Sequence, residues 1–355
     1  MKFTCVDSFC GAGGLALGLK MAGFDILLSF DNDKNCIETL NSNNKYFSHP
    51  AECISIESVI AENPLSKIGL KKGELFLLAG GPPCQGFSIQ RIGKDTDRRN
   101  KLVTAYGKLL EILYPKYFLM ENVPGITGKR GRQYLADIIA KAEKLGYCIH
   151  EQILDAQNYD VPQRRRRMIL VGERLDMGAP NFTYPEPSKR RITVRDAISF
   201  LPPPPEDGSC HPDYSLHRRD KLSAKNIDRL NALKEGEGRD ALPLELLANC
   251  HKVSSSKIGH RNVYGRMLWD DVSPTITARF DSFTRGMFGH PDQTRSISLR
   301  EGALLQTFPL DFQFCGTKVS VARQIGNAVP VNFAHALAEQ ILKCYMAKIG
   351  EKHGL

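Results

Sequence analysis

Short apolar runs alternate with longer amphipathic segments from the start of the chain to about residue 180. Apolar residues recurring at steps of three and four predict helices over residues 15–22 and 102–113. Short apolar runs predict strands at residues 3–7, 26–30, 75–78, 117–120 and 168–172. Strands that alternate with helices in this way favour a mostly parallel sheet. The pattern therefore predicts an α/β fold with a doubly wound sheet.

The character of the chain changes near residue 180. Prolines punctuate a polar, irregular stretch that reaches to about residue 260, with a run of four at residues 202–205. This pattern is typical of a second, loop-rich domain or of long inserted loops. Residues 332–347 read as an amphipathic helix that can pack back on the first domain.

Composition adds less than the pattern does. Hydrophobic residues make up 42% of the 355 residues, which supports a sizeable core. Lys and Arg number 48 against 39 Asp and Glu, a balance of +9 that suits a polyanionic partner without demonstrating one. The ten cysteines have no framework spacing, and neither a secretion signal nor a membrane-spanning apolar run is present. We therefore expect a reducing cytoplasm and a free thiol at Cys84.

The first predicted strand runs into a glycine-rich turn, Phe9-Cys10-Gly11-Ala12-Gly13-Gly14-Leu15-Ala16. Glycines in such a turn allow a cofactor to approach the backbone closely. Asp31 ends the next predicted strand, where a carboxylate can hold ribose hydroxyls. The pattern fits a nicotinamide enzyme as well as an S-adenosylmethionine enzyme, and a purely structural turn competes with both.

Chemistry-bearing residues adjoin three further predicted strands. Cys84 stands in Gly80-Gly81-Pro82-Pro83-Cys84-Gln85-Gly86-Phe87-Ser88, and Glu121 stands in Glu121-Asn122-Val123. Open α/β sheets place their active sites at the carboxyl ends of strands. The basic run Gln163-Arg164-Arg165-Arg166-Arg167 leads into the strand at residues 168–172. Alternate side chains of an extended segment share a face, so Arg165 and Arg167 should point the same way.

These motifs together resemble the DNA (cytosine-5)-methyltransferases over almost the whole chain. Similar matches are the start Asp7–Gly14, Ser273-Pro274-Thr275-Ile276-Thr277-Ala278-Arg279 and Arg323-Gln324-Ile325-Gly326-Asn327-Ala328-Val329-Pro330. The resemblance implies a Rossmann-like, S-adenosylmethionine-dependent methyltransferase fold with a smaller DNA-recognition domain. It implies a catalytic and cofactor-binding domain over 1–184, target recognition over 185–311, and a return of 312–355 to the catalytic domain.

The resemblance also implies a reaction and its catalytic residues. Cys84 adds as thiolate to carbon 6 of a flipped cytosine, so that carbon 5 can take the methyl group. Glu121 acts at ring nitrogen 3 as general acid and electrostatic stabiliser. Arg165 contacts the cytosine carbonyl, and Arg167 supports the site. Extruding the base costs roughly a few kcal/mol.

The family pattern assigns S-adenosylmethionine as cofactor and no metal. Cys53 stands where many relatives carry an Asp that bonds the adenine amino group, and Asn32 stands where many carry a larger side chain. The implied cofactor residues are Phe9, Gly11, Ala12, Gly13, Asp31, Asn32, Cys53, Ile54, Pro83, Asn327 and Ala328. The implied nucleic-acid contacts are Gln85, Ser88, Arg91, Arg98 and Arg279.

The resemblance further implies double-stranded DNA as partner, no membrane, a monomer, and a cognate restriction endonuclease that acts on the same site without stable association. Three alternatives stay open. A transfer-RNA enzyme of the same family would carry a Cys-Phe-Thr segment, which is absent from this sequence. A dinucleotide oxidoreductase would leave Cys84, Glu121 and Arg165 unexplained. A non-catalytic DNA-binding relative would need neither Cys84 nor Glu121.

Overall fold

The computed structural model describes residues 2–83, 101–129, 131–252 and 263–353. Its contacts divide the chain into two units, which are considered separately. The first unit comprises Met1–Asp155, Arg166–Pro187 and Val331–Leu355, and the second comprises Ala156–Arg165 and Ser188–Pro330. The sequence-predicted boundaries lay after residues 184 and 311. The functional division into catalytic and recognition domains stays a prediction.

The first unit is organised around one mixed sheet, which has seven strands within the described residues. The strands are β1 Phe3–Ser8, β2 Phe24–Asp31, β3 Glu52–Cys53, β4 Leu77–Gly80, β5 Tyr117–Asn122, β6 Tyr147–Asp155 and β7 Arg166–Arg174. Their order is β3-β2-β1-β4-β5-β7-β6. Neighbours among β1 to β5 pair in parallel, whereas β7 pairs antiparallel with both β5 and β6. The predicted α/β class is confirmed.

The helices of the first unit alternate with its strands along the chain for most of its length. The bounds along the whole chain are α1 Gly14–Met21, α2 Lys34–Asn41, α3 Ile56–Ala61, α4 Pro64–Ile68, α5 Lys101–Leu113, α6 Arg132–Lys144, α7 Val194–Ile198, α8 Ala224–Asn231, α9 Leu299–Leu305, α10 Lys318–Asn327 and α11 Val331–His353. Elements α7 to α10 belong to the second unit. None of the helices in the described part is both long and apolar enough to cross a membrane.

The central strands account for the apolar runs of the sequence. All four residues of β4 are buried, and only Glu121 of the six in β5 is partly exposed. A sheet that is covered on both faces needs apolar side chains at every position, which gives continuous rather than alternating runs. The edge strand β6 differs because His150, Glu151 and Gln152 interrupt it at partly or fully exposed positions. For that reason the apolar pattern did not reveal β6.

The long helix α11 packs against α1 in the first unit. Gly18 of α1 makes the approach possible, because a Cβ there would lie 2.5 Å from Cβ of Ala334 and 2.6 Å from the backbone nitrogen of His335. Near its other end, α11 places Lys348 against the fully buried carboxylate of Glu173 in β7. Burial alone would raise the pKa of Glu173, but partners that include Lys348 lower it to about 2.

The second unit consists mainly of loops around short helices. Its α9 contacts α7 and α10. Ser298 and Glu301 form a reciprocal cap at the start of α9. Glu301 also holds both terminal nitrogens of Arg295 at 2.6 and 2.7 Å, and both side chains are 1% exposed. A buried carboxylate needs several donors to offset its lost hydration, and this arrangement supplies them.

Replacing Gly18 by Ala should destabilise the first unit. The added methyl group has no space against α11, and overpacking of this kind costs about 1–3 kcal/mol. We expect a lower midpoint of thermal unfolding, followed by circular dichroism. Gly350→Ala is the matched control, because it makes the same change in helix α11 where a Cβ would meet nothing within 4 Å. Equal midpoints for the two variants would contradict the close α1–α11 contact.

Candidate active site

The glycine-rich turn joins β1 to α1 through three residues with left-handed backbone conformation. Gly11 has a φ of 53° and Gly13, which precedes the first residue of α1, has a φ of 87°. Phe9 adopts a φ of 56° although it is not glycine. Non-glycine residues in this region carry strain and cluster at functional sites. A Cβ on Gly11 would meet nothing within 4 Å, so open space lies beside this turn.

Asp31 holds the turn from the end of β2. Its carboxylate accepts hydrogen bonds from the backbone N–H of Gly11 at 3.0 Å and of Asp33 at 2.9 Å. The adjacent strand β3 pairs Cys53 with Asp31, and the N–H of Ile54 donates to the carbonyl of Asp31 at 3.0 Å. The side chains of Asn32 and Cys53 are exposed there. The predicted residues of the turn and of the β2 and β3 ends are therefore neighbours.

Asp7 is the unexplained group of this region. It is the next-to-last residue of β1 and is fully buried, and neither carboxylate oxygen has a hydrogen-bond partner among the described residues. Burial raises the pKa of Asp7 well above its usual range, and the nearby charge of Asp31 adds to the shift. Burial raises the pKa of the Cys10 thiol in the turn, and the nearby carboxylates of Asp7 and Asp31 raise it further. A buried carboxyl without donors indicates a site for a missing ligand or water.

The segment that leads from β4 towards Cys84 lies against the end of β5. The side-chain amide of Asn122 donates to the carbonyl of Pro82 at 3.0 Å. A Cβ on Gly81 would lie 3.2 Å from Oε2 of Glu121, so the absence of a side chain allows the backbone to pass close to this carboxylate. Pro83 is half-buried beside it. Cys84 itself lies outside the described residues.

Glu121 and Arg167 form an ion pair at the same edge of the sheet. Oε1 of Glu121 and Nε of Arg167 are 2.7 Å apart, and the two side chains are 13% and 12% exposed. The register of β5 and β7 produces this pairing, because Asn122 lies opposite Met168 and Arg167 is the next residue outward. The pair is thus fixed by the backbone and keeps a small exposed surface.

The predicted alternation along residues 164–167 is present in the structure. Arg164 and Arg166 are exposed, while Arg165 is 1% exposed. The surroundings of Arg165, however, differ from those expected. In the second unit its guanidinium donates to the carbonyls of Ile276, Gly326 and Ala328 at 3.0, 3.0 and 2.9 Å. These bonds direct its terminal nitrogens to main-chain carbonyls, whereas Arg167 faces Glu121.

The turn at Gly326-Asn327-Ala328 is held by this buried network. Gln306 donates to the carbonyls of Ile325 and Ala328, and Gln163 donates to Oε1 of Gln306 at 2.8 Å. The carbonyls concerned lie at the end of α10, where a helix leaves its last acceptors unsatisfied. Asn327 is exposed and Ala328 is 9% exposed. Their predicted role towards a cofactor stays a prediction.

The predicted DNA contacts are mostly out of view. Gln85, Ser88, Arg91 and Arg98 lie outside the described residues. Arg279 belongs to the second unit, where its Nε donates to Asp281 at 3.0 Å and its side chain is 47% exposed. No group of His, Cys, Asp and Glu side chains suited to a metal ion occurs in the part of the chain that the structure describes.

Sequence reasoning left several site residues without a role. Asp7, Gly81 and Asn122 all belong to motifs that were recognised, but their functions depend on contacts that only folding reveals. Gln306 carries no sequence signal, since a single glutamine after an apolar helix is ordinary. For Asp7 a signal existed: a carboxylate that ends an apolar strand is costly there unless a donor or ligand meets it.

Known proteins resemble this chain in sequence. A model of the family described as C-5 cytosine-specific DNA methylase matches residues 3–343. The chain is 35% identical to the type II methylase M.HgiDII of Herpetosiphon aurantiacus, over 96% of this chain and 95% of that protein. It is 34% identical to the type II methyltransferase M1.HphI of Haemophilus parahaemolyticus, over 97% and 87% of the two chains.

Solved structures share the fold. A crystal structure described as a DNA modification methyltransferase encoded within an E. coli prophage superposes with a TM-score of 0.73 at 24% identity, covering 97% of this chain and 99% of that one. The methyltransferase EhMeth of Entamoeba histolytica gives a TM-score of 0.67 at 16% identity, covering 97% and 98%. With the family match spanning nearly its entire length, the chain belongs to the C-5 cytosine-specific DNA methylases and is a DNA (cytosine-5)-methyltransferase.

Proposed function

We propose that the enzyme uses Cys84 as nucleophile, Glu121 and Arg167 as its catalytic partners, and S-adenosylmethionine as methyl donor. The observation that carries the proposal is the Glu121–Arg167 pair beside the Gly81–Pro82 backbone. Two residues further along this backbone comes Cys84. A nucleophile, an acid and a fixed cation are the groups that a covalent attack on an electron-poor ring requires.

Each residue has one task in this scheme. The Cys84 thiolate bonds to carbon 6 of the cytosine, and the electron pair released towards ring nitrogen 3 and the carbonyl oxygen is stabilised by Glu121 and Arg167. Carbon 5 then becomes nucleophilic and accepts a methyl group, which the cofactor supplies. Loss of the carbon 5 proton to a base expels the thiolate and restores the aromatic ring. The protein thus lowers the barrier through covalency and preorganised charge.

We propose roles for the two arginines that differ from the sequence expectation. We assign the contact with the cytosine carbonyl to Arg167, because its guanidinium pairs with Glu121 at the sheet edge. Arg165 acts as a positioning residue, because its guanidinium is committed to three main-chain carbonyls. A buried cation at the end of α10 also complements the negative end of that helix.

The residues around the glycine-rich turn fit a cationic nucleoside cofactor. Asp31 has two carboxylate oxygens that can still accept from ribose hydroxyls, and the space beside Gly11 is open. We assign Phe9, Gly11, Ala12, Gly13, Ile54 and Pro83 to the same pocket, with Asn32 and Cys53 at its exposed rim. Asp7 would provide a buried carboxyl whose ionised form the cofactor's cationic end would stabilise. Asn327 and Ala328 remain predicted additions from the second unit.

The type II relatives suggest the biological setting. We propose that the enzyme modifies a specific duplex sequence on behalf of a restriction endonuclease, without stable association with it, and that it acts as a monomer. The relatives M.HgiDII and M1.HphI are named as type II enzymes. A basic chain with a balance of +9 also suits a DNA substrate.

Methyl transfer tests the proposal directly. Labelled S-adenosylmethionine should deliver its methyl group to duplex DNA and not to transfer RNA, and Cys84→Ser should abolish the transfer while retaining DNA and cofactor binding. Bisulfite sequencing of the product locates the modified cytosines. Full turnover by Cys84→Ser would remove this thiol from the mechanism, and label in RNA alone would overturn the substrate.

The two arginines should respond differently to the same substitution. Arg167→Gln should lower the rate of methyl transfer by about 10²- to 10³-fold, as loss of one charge-stabilising donor does, with the unfolding midpoint unchanged. Arg165→Gln should lower the unfolding midpoint, because each carbonyl left unsatisfied costs about 1–3 kcal/mol. Arg166→Gln, at an exposed position between them, controls for the lost charge. A stable Arg165→Gln with the larger rate defect would reverse the assignment.

Asp7→Asn should change how stability depends on pH. An unfolded Asp ionises near pH 3.9, whereas folded Asp7 keeps its proton to higher pH, so the wild-type protein loses stability as the pH rises between these two pKa values. The Asp7→Asn variant does not lose stability in this way. Its unfolding midpoint should therefore exceed that of the wild type by a margin that grows as the pH rises between the two pKa values. The groups that interact with Asp7 are Asp31, Cys5, Cys10 and Tyr106.

Ligand binding provides the second half of this test. Asp7→Asn should bind S-adenosylmethionine more weakly in calorimetry, because the cation loses its buried counter-charge. Asp25→Asn is the control, since Asp25 lies in the neighbouring strand β2 and pairs with Lys2 at the surface. A pH-independent midpoint difference together with unchanged affinity would show that Asp7 has neither role.

A further inference from the structure

A polar cavity of about 240 Å³ lies within the second unit, apart from every residue assigned to the reaction. Three cations line it: Lys221, Arg279 and Lys318. Two carboxylates, Asp220 and Asp281, accompany them, so the charged lining has one positive charge in excess. Of these five, only Arg279 carried a sequence prediction.

The carboxylates hold the cations and are the less exposed members. Asp281 is 3% exposed and accepts from Nε of Arg279 at 3.0 Å, while its other oxygen lies 3.6 Å from Nζ of Lys318. Asp220 contacts the same ammonium group. By contrast, the side chains of Arg279 and Lys318 are 47% and 31% exposed. The negative charge therefore lies behind the positive groups and fixes their positions.

The N-terminal end of helix α8 adds a weaker positive contribution to the charge of the cavity. Ser223, at its N-cap, and Asn226, in its first turn, both line the cavity. The Ser223 side chain makes no capping bond, so it does not satisfy the first N–H groups of the helix. The N-terminal end of a helix carries partial positive charge and favours anions. Cations and helix end thus favour the same class of ligand.

We propose that this cavity binds a phosphodiester group of the DNA substrate. The inference rests on the enzyme's action on DNA. It adds a site at which the protein would hold one phosphate group of the DNA backbone. A metal cation is disfavoured because Asp220 and Asp281 are already paired with ammonium or guanidinium groups. Fixed cations suit a phosphate oxygen, and such contacts position a protein on DNA without reading its sequence.

The salt dependence of DNA binding measures this contact. Each phosphate neutralised by a cation contributes about 0.9 to the slope of log K against log salt concentration. We expect Arg279→Gln and Lys318→Gln each to weaken binding of a fluorescein-labelled mixed-sequence duplex and to lower the slope by up to about 0.9. The loss should be the same for a second duplex of different sequence. Lys141→Gln is the matched control, because Lys141 is 35% exposed and paired with Glu111 at 2.6 Å in the first unit.

Further arms separate the possible outcomes. A duplex with neutral methylphosphonate linkages should bind wild type and Arg279→Gln equally. Unchanged slopes in both cavity variants, with unfolding midpoints like the wild type, would overturn the proposal, and so would an equal loss in Lys141→Gln. If inorganic phosphate at constant ionic strength stabilises wild type but not Arg279→Gln while the DNA slopes stay equal, the cavity is a free-phosphate site. Methyl transfer by the wild type, measured alongside, keeps failure of this site distinct from failure of the enzymatic assignment.

Discussion

The direction of β7 is the constraint on which the candidate site depends. The parallel strands β4 and β5 end at one edge of the sheet, with Gly80 and Asn122. Because β7 is antiparallel to β5, it begins at that edge and brings Arg167 to 2.7 Å from Glu121. A parallel β7 of the same nine residues would move the arginine six residues along the strand towards the opposite end of the sheet, roughly 20 Å away at about 3.3 Å per residue. One reversed strand therefore supplies a cation at the sheet end where β5 supplies a carboxylate and where β4 leads on towards Cys84 in the sequence.

Arg165 and Arg167 belong to one short motif but differ in burial and in the groups that they contact. Arg165 is 1% exposed, and its terminal nitrogens donate hydrogen bonds to main-chain carbonyls. These bonds hold the backbone in place and leave few N–H groups to bind a substrate. Arg167 is 12% exposed and meets a carboxylate that is equally accessible. Removing a buried cation leaves its acceptors unpaired, which costs stability. Both side chains are arginines of the same motif. The difference between them therefore arises from the groups that surround each one.

These surroundings also explain how far the sequence could lead. Strands β1, β2, β4, β5 and β7 were predictable because each has a continuous apolar run. Glu121 was predictable because it follows one of them. The alternation of residues 164–167 was also predictable from the sequence. The two-residue period of an extended segment shows which side chains share a face, but it does not show which groups those side chains contact. The choice between Arg165 and Arg167 required long-range contacts, with Ile276 and Gly326 in one case and Glu121 in the other.

Asp7 is a locally unfavourable group in the candidate site. A buried carboxyl without donors is unfavourable, and its neighbour Asp31 makes ionisation harder still. The strained φ of Phe9 adds a second local cost within two residues. Both costs lie beside the open space at Gly11, where a cationic ligand would relieve the first by providing a counter-charge. A protein without such a ligand would gain stability by placing an apolar residue at position 7. The proposed cofactor pocket would therefore place an unfavourable buried carboxyl where a cationic ligand could use it.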